Sequence, residues 1–183
     1  MRGLVPLQVC YALLFLSGCG YHTLGSAAHL PATLHTLSIP IFQNKSQSYH
    51  TEVAMTQAVA REFGNRTRLT VLPGNLSDAA DATLSGVIIA ESVQPLTYKT
   101  QTTTSIAGAN SSFTSSFLIT INANVVLADR NNRILYQHSN YVFHEQYETT
   151  SDLASFIQED SPAVERLSRD FAQALVGDIM ESF

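Results

Sequence analysis

Side chains that could perform covalent or acid–base chemistry are few in this chain and badly spaced for it. There are two cysteines, Cys10 and Cys19, and six histidines. A nucleophilic Ser or Cys needs a positioned base, and the sharp G-x-S-x-G turn that exposes a hydrolase serine is absent. His138 and His144 share a parity on one extended run, but six strand residues span about 20 Å, too far to hold one metal ion. Isolated surface or edge histidines are the expectation there. The carboxylates are dispersed; Asp78 and Asp81 bracket Ala79-Ala80 in what reads as a turn. No catalytic, cofactor-binding or metal-binding residue is therefore assigned, and the expectation is a protein that is not an enzyme.

The reactive group that stands out is Cys19, set between Gly18 and Gly20 directly after an apolar run. Arg2 supplies a short positive start and Leu4 to Leu16 an apolar stretch, interrupted by Pro6 and Gln8 and too short to span a bilayer. That is the order of an export signal, residues 1–18. Leu16-Ser17-Gly18-Cys19 resembles the lipobox of bacterial lipoprotein precursors, which implies cleavage before Cys19 and acylation of its sulfur and new amine, with palmitate-type chains. Cys10 leaves with the signal, so the mature chain holds one cysteine and no internal disulfide. Each buried methylene contributes about 0.8 kcal/mol, so three acyl chains would hold the protein to a membrane essentially permanently. Gly20, in place of Asp, points by the sorting rule of enteric-type bacteria to the outer membrane.

With 183 residues, 45% apolar and only 14% charged, the chain can bury one sizeable core. Its surface must be polar but largely neutral. The ten basic residues are scattered singly and the formal charge is −5, which leaves no basic stripe for nucleic acid.

The elements follow from periodicity. Residues 19–33 mix Gly, His, Ala and Thr as a lipidated tether, and residues 34–183 form one domain. Leu34 to Phe42 reads as a strand, with Pro40 favouring an edge. Tyr49 to Phe63 reads as a helix through Met55, Val59 and Phe63, with Gly64-Asn65 as its C-cap. A short strand from Arg68 to Leu72 ends at Pro73-Gly74. Strands at Ala82 to Gln94, Phe117 to Leu127 and Ile134 to Tyr147 alternate, with Asp129 to Asn132 as a tight hairpin between the last two. On the second of these, Ile119, Ile121 and Val125 share one face and Thr120, Asn122 and Asn124 the other. Ser161 as N-cap and Pro162 at N1 open a last helix carrying Val164, Leu167, Phe171 and Leu175. The order β-α-β-β-β-β-α predicts an α+β two-layer sandwich. Two helices pack on one face of a mostly antiparallel four- to five-stranded sheet, and the Thr/Asn face is left to solvent or a partner. Between two strands lies a Ser/Thr-rich stretch, 97–116, with eleven Ser or Thr in twenty residues and Lys99 its only charge. It reads as a hairpin loop, long enough to be a docking loop, with Tyr98 and Phe113 as candidate contacts.

The opening Cys19-Gly20-Tyr21-His22, continuing to Gly25, the element order and about 165 mature residues together resemble the LptE family of lipopolysaccharide-assembly lipoproteins. The resemblance implies a non-catalytic plug and assembly factor in the lumen of the LptD outer-membrane β-barrel, helping lipopolysaccharide reach the outer leaflet without a cofactor. It also implies basic residues near the sheet ends that meet lipid phosphates; by position these are Lys99, Arg130 and Arg133. The alternative is a periplasm-facing lipoprotein that binds lipid or scaffolds a different envelope machine, for which a deep apolar cavity between helices and sheet would speak.

Overall fold

The computed structural model describes residues 31, 33–48, 50–102, 110–148 and 153–183, with backbone alone at 100–102, 110–113 and 153–161. Cys19 and the signal lie outside the described residues. The domain is the expected two-layer α+β sandwich. Its strands are β1 (Thr36–Ile39), β2 (Gln43–Asn44), β3 (Thr70–Pro73), β4 (Ala82–Thr102), β5 (Asn110–Asp129) and β6 (Ile134–Glu148). Its helices are α1 (Thr51–Arg66), a 3-10 helix (Gly74–Ala79) and α2 (Leu153–Glu181).

The sheet order is β3-β1-β4-β5-β6, with β2 pairing further along β4. By residues it is mostly antiparallel, because the long β4–β5–β6 meander dominates. A parallel margin completes it: β1 pairs in parallel with both β3 and β4, and β2 with β4. The Pro40 strand is thus internal and not at an edge. Pro40 is tolerated because pairing stops at Ile39 and resumes at Gln43, so its missing N–H breaks no ladder bond. Gly74 packs so closely on Pro40 that an added Cβ would come within 2.4 Å of the proline Cα.

Apolar residues on one face of β4 (Ala82, Leu84, Ile88) and β5 (Ile119, Ile121, Val125, Leu127) meet the helices. Helix α1 presents Met55, Val59 and Phe63, all fully buried, as its four-residue spacing requires. It runs past Gly64 to Arg66, and the cap is Thr67, whose N–H and hydroxyl both donate to the Phe63 carbonyl at 3.0 and 2.7 Å. Gly64 is simply exposed there. Helix α2 begins at Leu153 instead of Ser161 and carries Pro162 inside it. That ring lies on the exposed side and removes one helical N–H, at a cost that the long buried stripe downstream offsets. Phe171 anchors this stripe, edge-on to Phe42, Tyr141 and Phe143 with centroids 6.3, 5.7 and 5.3 Å away. Arg66 ties the helices together by donating to the Gln173 carbonyl at 3.2 Å.

Candidate interaction surface

Where it is described, the 97–116 segment is strand and not loop. Strand β4 runs on to Thr102 and β5 starts at Asn110, so most of the segment is paired, from Thr97↔Ser116 to Thr102↔Asn110. Strand β6 reaches only Ser116, and the hairpin continues beyond it as a two-stranded arm of about 20 Å. At the base of the arm the Thr97 hydroxyl shares hydrogen bonds with those of Ser115 and Ser116, at 2.8 and 2.7 Å. The hydroxyl-rich composition that suggested a loop is here satisfied side chain to side chain. Tyr98 is 65% exposed on the arm. Phe113 pairs through its backbone with Lys99, and its side chain lies outside the described residues.

The basic candidates fall at two ends. Lys99 is on the arm, about 55 Å along β4 from Ala82. Arg130 and Arg133 occupy the β5–β6 turn at the opposite end, near Pro31, where the described chain begins. Both are engaged there. Arg130 donates to Asp81 Oδ1 at 3.1 Å and to the Ala80 carbonyl at 3.2 Å, and Arg133 to Asp129 Oδ2 at 3.1 Å. Asp81 also accepts the His35 and Thr36 N–H groups at 3.0 Å each and the Thr36 hydroxyl at 2.9 Å. These bonds, the His35 N–H foremost, hold its carboxyl below the usual aspartate range. Asp129 is lowered likewise, mainly by the Arg133 N–H. Asp81, read from sequence as a turn residue, thus latches the start of β1 to the start of β4.

The histidines part company. A bulge at Ser139–Asn140, with Asn140 at φ 60°, inserts one residue into β6 opposite Asn124 and flips the parity beyond it. His138 therefore pairs with Val125 on the covered face, its ring 4.0 Å from Tyr141. His144 pairs with Thr120 on the open face, its Nδ1 2.9 Å from the Thr120 hydroxyl. The Tyr141 hydroxyl donates to Asp178 of α2. Burial first, and then that carboxylate, push the Tyr141 phenol well above its ordinary value. Among the described residues no three His, Cys, Asp or Glu gather to hold a metal, and no helix is long and apolar enough to cross a membrane.

The clefts lie at the surface. One of about 610 Å³ opens between the start of α1, Glu91 and Val93 of β4, and Val164 and Glu165 of α2. Its lining mixes polar residues with Val53, Ala54, Val93 and Val164. Beneath the helices the space is filled, and the core side chains from Leu37 to Ile179 form one continuous cluster.

What remains uncovered is the far face of the β4–β6 meander. Strand β4 contributes Ser85, Val87, Ala90, Ser92 and Gln94. Strand β5 contributes Leu118, Thr120, Asn122, Asn124 and Val126. Strand β6 adds Gln137, Val142, His144, Gln146 and, at the arm end, Glu148. Among these positions Glu148 is the one charged residue. Their amides interlock across strands: Asn122 donates to Asn140 Oδ1 at 2.6 Å, and the Asn140 N–H to Asn124 Oδ1 at 2.9 Å. The charge sits elsewhere, chiefly on the helices, as in Arg61, Glu62, Glu165 and Arg169.

A family model described as LptE, lipopolysaccharide-assembly, matches residues 34–179, which is the whole sandwich. The chain belongs to the LptE family. No curated protein matches it in sequence. Among solved structures, lipoprotein B from Nitrosomonas europaea superposes with a TM-score of 0.54 at 15% identity, over 88% of this chain and 90% of that one. A minor lipoprotein from Acinetobacter baumannii gives a TM-score of 0.45 at 7% identity, over 81% and 94%. At 15% identity the Nitrosomonas europaea structure speaks for the fold alone. Membership of the LptE family, a lipopolysaccharide-assembly family, is what the chain's own sequence carries.

Proposed function

We propose that this LptE-family chain is a non-catalytic lipoprotein, anchored in the outer membrane through acyl groups on Cys19, that plugs an LptD-like β-barrel and assists its assembly. In that position it helps lipopolysaccharide pass to the outer leaflet. The observation that carries the reading is the extent of the family match, residues 34–179, which takes in every strand and all but the last residues of the second helix. The filled core supports it as well, since a plug needs a packed interior whereas a lipid carrier needs a cavity. Lys99 on the arm is the basic residue best placed to meet lipid phosphate, because Arg130 and Arg133 are each held by a carboxylate.

Affinity purification of the tagged chain from detergent-solubilised membranes should recover a large β-barrel in about equal amount. Recovery of the chain alone refutes the plug. Metabolic palmitate labelling should be lost in Cys19→Ala; retained label refutes the anchor.

A further inference from the structure

The position of a plug does not say which of its surfaces bears on the partner. An ordinary solvated surface is about 25–35% charged, so the roughly fifteen positions of the open meander face should hold about four charged side chains. They hold one, Glu148 at the arm end, while both helices opposite are studded with them. Its centre is also tied into a cross-strand array of amides and hydroxyls at Thr120, Asn122, Asn124 and His144, with Val142 41% exposed among them.

We infer that the barrel docks on this open β4–β6 face and on the arm that continues it, chiefly through hydrogen bonds and apolar contacts, with Glu148 and Lys99 at the arm end as its few charges, while the helix layer stays in water. The inference rests on the plug reading and adds to it the surface and its chemistry. A charged partner group pressed onto the middle of the face would lose its hydration and find no counter-ion, so the apposed wall must be neutral and polar there. Area supports including the arm. Three strands of about ten residues present about 500 Å², short of the ~800 Å² per partner of a stable interface. Two faces of the arm, about 20 Å long and 10 Å wide, bring the total to about 900 Å². Exposed Leu96 and Tyr98 supply the apolar contacts on that arm. The helix layer is the poorer candidate, because burying Arg61, Glu165 and Arg169 would desolvate charges that the fold leaves at the surface.

The test uses the full chain in membranes and two pairs of exposed substitutions. Ser92→Glu with Gln146→Glu places charge on the open face, and Gln57→Glu with Gln173→Glu places it on the helices. All four sites are exposed, so thermal melting should be unchanged in both variants. The open-face pair should cut recovery of the barrel at least tenfold, and the helix pair should leave it within twofold. Recovery by the unsubstituted chain should fall less than about threefold between 0.1 and 1 M salt, since only Lys99 and Glu148 are there to screen. Full recovery with the open-face pair, or loss with the helix pair, overturns this placement and leaves the plug standing. Absence of any barrel from the unsubstituted chain overturns the plug itself, and this placement with it.

Discussion

Replacing Phe171 with alanine should loosen α2 from the sheet more than any other single truncation at that junction. The ring is fully buried and is the point where three elements meet: α2 itself, β6 through Tyr141 and Phe143, and the β1–β2 link through Phe42. Truncating a buried Phe to Ala costs about 3–5 kcal/mol. Three edge-on aromatic pairs, each contributing about 0.5–1.5 kcal/mol beyond area, place this site near the upper end. Set against a typical total stability of about 5–15 kcal/mol, that is a third or more of the whole. For a domain of this size about 2–4 °C accompanies each kcal/mol, so the melting temperature should fall by roughly 10–20 °C. Circular dichroism against temperature and urea measures both quantities. Phe183→Ala, at a 37% exposed ring, is the control and should shift stability by less than about 0.5 kcal/mol. A Phe171→Ala loss below about 1 kcal/mol would refute the aromatic junction as what docks α2.

Gly86→Val should be destabilising by more than 1 kcal/mol in the same assay, since even a Cβ there would lie 2.6 Å from the Phe42 ring, itself buried; an unchanged melt sinks that packing. Asp81→Asn should lower stability at neutral pH and flatten its loss in acid. The lowered Asp81 carboxyl contributes stability above the unfolded aspartate value of about 3.9, lost as pH falls through the folded value. Parallel acid-titration curves for variant and wild type would contradict this. Tyr141→Phe should soften alkaline unfolding, because the raised phenol contributes stability below the unfolded tyrosine value of about 10, lost as pH rises beyond it. Identical alkaline limbs for the two proteins would argue against the Tyr141–Asp178 bond.

Much of the sandwich could be read locally. The Met55, Val59, Phe63 spacing marks α1, and the alternation from Phe117 to Leu127 separates the covered face of β5 from the open one before any pairing is known. Misreadings cluster where composition stood in for pairing. Hydroxyl-rich 97–116 reads as a loop because Ser and Thr are common in loops, yet backbone pairing from Thr97↔Ser116 to Thr102↔Asn110 makes most of it an arm. Pro162 looked like a helix start because N1 suits proline, yet the helix tolerates it at an exposed interior site.

Taken alone, the sequence determined the order of elements, the core stripe of α1 and the two faces of β5, and it raises the export signal and acylation of Cys19 as expectations, since all of these are written in contiguous residues. Only the tertiary structure decided that β1 lies inside the sheet, that Asp81 latches Arg130, that His138 and His144 point to opposite faces, and that the uncharged positions of three strands merge into one surface. The physical reason is pairing between residues far apart in the chain. A single inserted residue, such as the bulge at Asn140, reverses every side chain beyond it, and no local periodicity foretells where it falls.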